Sequence, residues 1–252
     1  MNNYQERYSL INPEVLNKKG RIQKARKIQC ILDDYLTKNY TSGIILDIGC
    51  SGGIILDNLT IINSQKIGID IDFNALKTAR TNHEIDSVDF ICADGMNLPF
   101  RDDKIAITLC NHVYEHLPDS EKLFQEIFRT LKQGGVCYCA AGNRLAVMEG
   151  HYHLPFLAWI PKCLAHNYLR ITKRGDFYYE KHLTWWSFKK MISNFLIHDY
   201  TIKVIREPET YAGTELINPG SWITRIPIVA FKLLFPLIPT WILMLEKPNT
   251  TK

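Results

Sequence analysis

Ile44-Ile-Leu-Asp47-Ile-Gly49-Cys-Ser-Gly52-Gly53 is the stretch on which the fold turns. The apolar run reads as a buried strand, the glycines after it as a tight turn, and Gly52 to Ile62 as a helix. Strand, small-residue turn and helix in that order let a ligand approach the backbone. They also leave free N–H groups at a helix start, where an anionic group is favoured. Such a turn alone is a weak signal. A dinucleotide fingerprint needs G-x-G-x-x-G. Counted from Gly49, its second and third glycine positions hold Ser51 and Ile54.

Working outward, apolar runs alternate with helical patterns. Strands are expected at 66–71, 88–92, 105–110 and 136–141, and helices at 74–82 and from Asp119 through Leu131, ended by Gly134-Gly135. Upstream, 15–38 reads as a basic amphipathic helix with Ile22, Ala25, Ile28, Ile31, Leu32 and Tyr35 on one face. Downstream, the reading is a helix over 184–195, a strand over 200–205, a helix over 222–235 and a last strand from Thr240 to Pro248. Strands that alternate with helices imply a parallel sheet with right-handed crossovers. The expected fold is therefore α/β and Rossmann-like.

In open α/β sheets ligands bind outside the carboxyl ends of the strands. Candidate groups fall there repeatedly. Asp70, in Gly68-Ile-Asp70, follows Gly49 by 21 residues and could accept both ribose hydroxyls. The neighbouring Asp72 reads as a helix cap. Asp94, in Cys92-Ala-Asp94-Gly95, could accept from an exocyclic adenine amine. Asn111-His112-Val-Tyr-Glu115-His116-Leu-Pro-Asp119 begins where the fourth strand leaves the sheet.

The segments LDIGCSGG (46–53), GIDID (68–72), ADGMNLPF (93–100), HVYEHLPD (112–119) and LKQGG (131–135), in this order and spacing, resemble the class I S-adenosylmethionine-dependent methyltransferases that act on small molecules and lipids. The resemblance covers about residues 43–142. It implies a seven-stranded sheet, mostly parallel, with an antiparallel last strand and helices on both faces. It further implies S-adenosylmethionine as cofactor. Asp47, Gly49, Cys50 and Gly53 would line its methionine part, Asp70 would hold the ribose with Ile71 against the adenine, Asp94 with Gly95 would meet the adenine amine, and Asn111 would sit near the sulfonium. Two positions depart from the pattern. Ser51 replaces the middle glycine of the turn, and Ala106 stands where an Asp is frequent.

A general base helps when the acceptor is a hydroxyl. The candidates are His112, His116, His151, His153 and His182. Some quinone-biosynthesis methyltransferases that resemble this chain bind a divalent cation through acidic and His residues of the Glu115-His116 loop. Here His112 stands three before Glu115 in place of an acid, and no metal is expected. Residues 143–190, rich in aromatic rings, read as an acceptor-site insertion or as an insertion with its own small core. Arg144, Arg170, Lys173 and Arg174 could meet an anionic acceptor there. The domain reading is one unit: 1–42 a helical cap, 43–142 the cofactor core, 143–190 the insertion, and 191–252 the last strands with an apolar helix.

Composition sets the outer bounds. The chain has 252 residues, 46% hydrophobic and 22% charged, which suits one folded domain and excludes wholesale disorder. The net charge of +4 divides into +4 over 1–42, −6 over 43–142, +5 over 143–190 and +1 over 191–252. No RNA-binding module is legible, so no nucleic acid is expected. Seven cysteines without a CxxC pair suit reduced thiols and a cytoplasmic protein. The apolar stretch 226–245 is broken by Pro227, Pro236 and Pro239, which argues against a spanning helix. Arg225 and Lys232 on one face of 222–235 leave a wide apolar face, the pattern of an interfacial helix. The expected substrate is a small-molecule or lipid-like acceptor, with peripheral membrane contact through 222–235. A cofactor-binding regulator without turnover and a nucleotide-dependent oxidoreductase are the rival readings.

Overall fold

A computed structural model describes residues 5–36, 43–61, 64–82 and 88–249. Seven strands form one sheet: β1 Ile44–Ile48, β2 Gln65–Asp70, β3 Val88–Cys92, β4 Ile105–Asn111, β5 Leu131–Gly142, β6 Leu196–Asp199 and β7 Thr240–Glu246. Their order is β3-β2-β1-β4-β5-β7-β6. Strands β1 to β5 pair in parallel, and β7 runs antiparallel to both β5 and β6. This is the sheet that the resemblance implies. The order reverses between β1 and β4, so a crevice opens at their carboxyl ends.

Burial on both faces explains the continuous apolar strands. Ile45, Ile107 and Leu109 face one core with Ala25, Ile28, Ile31 and Leu32 of helix α2 (Lys18–Tyr35), which follows the short α1 (Tyr8–Ile11). Leu46, Ile48 and Ile69 face the other core. There they meet Leu123, Phe124 and Ile127 of α5 (Ser120–Thr130), which comes after α3 (Ile54–Asp57) and α4 (Phe73–Asn82). Asp119 caps α5, its side chain accepting from the Lys122 amide at 3.1 Å. Trp241 of β7 is fully buried and stacks on Phe188 at 5.5 Å between ring centroids.

Several elements differ from the sequence reading. The helix expected over 52–62 ends at Asp57, because Asn58 turns its backbone and side-chain amides onto the carbonyls behind it. Residue 62 lies outside the described residues, as do 37 and 38 of the N-terminal helix. Gly134 and Gly135 lie within β5, and α5 stops at Thr130.

The strand expected over 200–205 is helix α8 (Thr201–Arg206), which follows α6 (Lys162–Ile171) and α7 (Trp185–Met191). The Asp199 side chain accepts from the Thr201 amide at 2.8 Å and starts that helix, so the strand lies upstream as β6. The alternation of β-branched residues at 201–205 yields to burial of Thr201 and Val204, three apart on one helical face.

The helix expected over 222–235 breaks at Pro227 into a 3-10 turn, Trp222–Arg225, and helix α9, Ile228–Leu234. Arg225 and Lys232 therefore do not share a helix face. Among the described residues no helix is long and apolar enough to cross a membrane.

The insertion has a core of its own, built from Leu154, Leu157, Ala158, Ala165, Leu169 and Tyr178. Isolated bridges Asn143–Leu183 and Met148–Pro155 tie it down.

Candidate active site

A cavity of about 730 Å³ opens at the carboxyl ends of β1 to β4. That volume lies in the range of about 300–1,000 Å³ usual for small-molecule sites. Each strand hands it a short segment: Gly49 and Ser51 after β1, Asp70 to Asp72 after β2, Ala93 to Gly95 after β3, and Asn111 to Val113 after β4.

The turn after β1 is held in a left-handed conformation at Gly49 (φ +68°) and Gly53 (φ +70°). A Cβ on Gly49 would sit 3.0 Å from Val113, so the glycine supplies both the conformation and the space. Ser51 adopts φ +50°, as the glycine it replaces could, at a cost of about 1–2 kcal/mol for an L-residue. Its amide donates to Asp70 Oδ2 at 2.8 Å, which ties the turn to β2. The other Asp70 oxygen accepts from the Asp72 amide at 2.8 Å. Burial raises the Asp70 carboxyl against these hydrogen bonds. Asp94 Oδ1 accepts from the Met96 amide at 2.8 Å. Asp70 and Asp94 thus face one cavity, each braced by backbone.

Of the residues implied for the cofactor, Gly49, Asp70, Ile71, Asp94, Gly95 and Asn111 line the cavity. Asp47, Cys50 and Gly53 are buried in the strand and turn behind that wall. Among the described residues Asp47 Oδ2 has no hydrogen-bond partner. Burial pushes this carboxyl up to about 7, with the charge of Arg21 acting in the opposite direction.

His112, His116, His151 and His153 line the cavity; His182 is not among its lining residues. His112 sits at φ +57°, an outlier for a residue of its size. Its Nδ1 lies 3.0 Å from Oε1 of the fully buried Glu115. Burial lowers the imidazole value of His112, and the bond to Glu115 only partly offsets it. Burial alone would raise Glu115, yet the His112 bond and the neighbouring histidines bring it to about 2. An ionised Glu115 only accepts, so Nδ1 carries the proton and Nε2 keeps the lone pair. Burial takes His116 down to about 3. For His151 burial would act the same way, but the bond to Glu149 dominates and raises it to about 9.

The sequence reading has 1–42 as a cap over the site but singles out none of its residues at the cavity. Gln5, Tyr8, Ser9, Arg21 and Lys24 all line it. Ser9 donates its amide and hydroxyl to Asp72 Oδ2 at 2.8 and 2.7 Å. Gln5 donates to the His116 carbonyl, and the Tyr8 ring lies 4.9 Å from the His116 ring. Burial lowers Lys24 to about 8, helped by the nearby Arg21 charge. The basic character of 15–38 was the available signal for Arg21 and Lys24. By contrast Arg144, Arg170, Lys173 and Arg174 are not among the lining residues. From the insertion come Gly150, His151 and His153, while Tyr178 and Trp185 are spent on packing.

Residues 46–139 match a family model described as a methyltransferase domain. A ubiquinone biosynthesis O-methyltransferase of Chelativorans sp. (strain BNC1) is 25% identical over 194 residues, 68% of this chain and 75% of that protein. A protein of the same description from Chromobacterium violaceum is 30% identical over 145 residues, 52% of this chain and 59% of that one. Among solved structures, the plantazolicin methyltransferase superposes with a TM-score of 0.58 at 17% identity, covering 96% of this chain and 88% of that one. A putative methyltransferase from Haloferax volcanii gives 0.57 at 16% identity, covering 97% and 98%. At these identities the two structures speak for the fold alone.

Proposed function

We propose, for a chain that is a class I S-adenosylmethionine-dependent methyltransferase, that it methylates a hydroxyl of a small, apolar acceptor, with His112 as general base. The observation that carries the reading is one cavity with Asp70 and Asp94 on its wall, the glycine turn at its floor and the His112–Glu115 pair beside them.

The residues present fit the cofactor. Asp70 offers two oxygens to a ribose diol, Ile71 an apolar surface to the base, and Asp94 an acceptor for the adenine amine. Gly49 and Gly95 leave the backbone bare where the ligand must come close; a Cβ on Gly95 would meet Ile48 at 3.0 Å. Asp47, Cys50 and Gly53 shape the turn that would hold the methionine part, and Asn111, at the end of β4, would face the reacting end. When bound, S-adenosylmethionine supplies a methyl group already made electrophilic by its sulfonium.

The chain's task is to align the acceptor, exclude water and take a proton. A hydroxyl aligned in this cavity to receive that methyl group would give up its proton to His112 Nε2. Glu115 holds the ring in the tautomer that leaves Nε2 open and offsets the charge formed there. His116 and His153 line the same cavity and contribute shape and polarity to its acceptor side.

The relatives described as ubiquinone biosynthesis O-methyltransferases support an oxygen acceptor. Support for a lipid-like one comes from the surface of 222–237, where Trp222 is 72%, Val229 70% and Leu233 76% exposed. Leu216, just before that segment, lines the cavity. Pro227 breaks the segment into two short apolar pieces, so peripheral membrane contact would be made by side chains inserted from a surface and not by one long helix.

Calorimetry against S-adenosylhomocysteine and NAD tests the cofactor reading. Wild type should bind S-adenosylhomocysteine and not NAD, and Asp70→Ala should weaken that binding. Binding of NAD alone, or an unchanged Asp70→Ala, would refute it. Co-sedimentation with anionic vesicles tests the surface. Binding that survives Trp222→Ala/Leu233→Ala intact would remove the membrane contact.

A further inference from the structure

Beside the cavity lies a second cluster that methyl transfer does not use. Glu149, His151 and His182 bring one carboxylate oxygen and two imidazole nitrogens within 4.8 Å of one another. Glu149 Oε1 is 2.8 Å from His151 Nδ1 and 3.3 Å from His182 Nε2. Glu149 is almost fully buried, and so are the nearby Glu115 and Glu180.

We propose that Glu149, His151 and His182 form a binding site for a first-row transition-metal dication of the Zn²⁺ type.

Three features make this a built site. The carboxylate is fixed in advance: its other oxygen, Oε2, accepts from the amides of His151 and Tyr152 at 2.8 and 2.7 Å, leaving Oε1 for both imidazoles. Such bracing of a ligand is what orients metal-binding groups. Room for the second imidazole is also fixed. A Cβ on Gly142 would lie 2.8 Å from Cε1 and Nδ1 of His182, so glycine at the end of β5 admits that ring. Finally, the same Cβ would lie 3.5 Å from Glu115 Oε1, which places the ring near a second buried carboxylate whose Oε2 has no hydrogen-bond partner among the described residues. A dication here would meet negative charge that the fold keeps out of water.

The spacing suits the ion. With bonds of about 2.0–2.2 Å, neighbouring ligands around tetrahedral zinc stand about 3.3 Å apart. The two contacts to Oε1 are already near that separation. Two imidazoles with one carboxylate favour zinc, iron, cobalt or nickel over Mg²⁺, which prefers oxygen ligands in near-ideal octahedral geometry. A second grouping, Glu115, His116 and His151, shares the His151 imidazole and competes for it. Glu149 is the better partner, because Glu115 Oε1 is committed to His112 at 3.0 Å. Since His151 also lines the cavity, the open position of the ion would face the acceptor space.

The test uses the full chain, stripped with a chelator, reloaded with ZnCl₂ and desalted. Retained metal and affinity are then measured by elemental analysis and calorimetry. One zinc per chain is expected, with no competition from MgCl₂. His182→Gln and His151→Asn should weaken binding by more than about 100-fold, since even outer partners of a ligand are worth about 10–100-fold. His198→Gln, which removes the imidazole of a two-residue pair with Glu246 at the sheet edge, should leave it unchanged. No retained zinc in wild type, or equal retention in both ligand variants, overturns the proposal. If a variant does not fold, the Co²⁺ spectrum of wild type decides. A tetrahedral visible band displaced by Zn²⁺ supports the site, and a spectrum like that of aqueous Co²⁺ overturns it. S-adenosylhomocysteine titrations of the same samples report separately on the methyltransferase reading.

Discussion

Replacing Asp47 with Asn should make this protein more stable in mildly alkaline solution. Asp47 is buried in β1, and its Oδ2 has no hydrogen-bond partner among the described residues. Its carboxyl stands at about 7 against an ordinary 3.8. The folded value lies above the unfolded one, so the folded state binds this proton more tightly. The resulting stability is fully present below pH 3.8 and is lost as pH rises through 7. At about 1.4 kcal/mol per tenfold, the ceiling on that loss is about 4 kcal/mol. Asn has the same shape and no proton to lose. For a chain of this size each kcal/mol moves Tm by about 2–4 °C, so the gain over wild type at pH 8 should reach several degrees, up to about 10 °C. The quantity to measure is the Tm difference between variant and wild type at pH 8 minus that at pH 5, by circular dichroism or calorimetry. His151, which titrates in the same region, is common to both proteins and cancels. A difference that does not change between pH 5 and pH 8 would mean that Arg21 already neutralises an ionised Asp47, and the reasoning fails.

Two further outcomes can be checked directly. His112→Asn should lower kcat by about 10²–10⁴ while keeping S-adenosylhomocysteine affinity, as for removal of a general base. Burial lowers the His112 value, so wild-type kcat/KM should climb on the acid side and level off below pH 6.5, and the variant should lack that limb. Activity within about threefold of wild type would dismiss His112 as the base. Tyr114→Phe should cost about 2 kcal/mol in urea unfolding, because the fully buried hydroxyl donates to the Gly142 carbonyl and accepts from the Leu183 amide at 3.1 Å. A neutral substitution would show that water replaces both contacts.

The inner strands of the parallel sheet were legible because they are buried on both faces and therefore unbroken in hydrophobicity, as Ile44–Ile48 and Ile105–Asn111 illustrate. Where one short run could serve either geometry, the local pattern misled. Residues 200–205 alternate like a strand, but Asp199 starts a helix at Thr201 and the strand pairs upstream. Asp70 and Asp94 were readable for a related reason. They stand at strand ends, and the strand ends were themselves readable. Ser9 reaches the cavity, and Glu149 the cluster beside it, from segments remote in sequence, so only tertiary packing could reveal them. Expected pocket rings such as Tyr178 went into the insertion's own core, since periodicity does not say which buried space a ring will fill.

The clasp of Ser9 onto Asp72 has a practical corollary. Trimming the amino end to begin near α2, a common step in preparing a domain for crystallisation, would take away Gln5, Tyr8 and Ser9 and strip one wall from the cavity. A shortened protein that folds well yet binds S-adenosylhomocysteine feebly would then be reporting a missing wall rather than a lost activity, and an affinity tag is better fused at the other terminus.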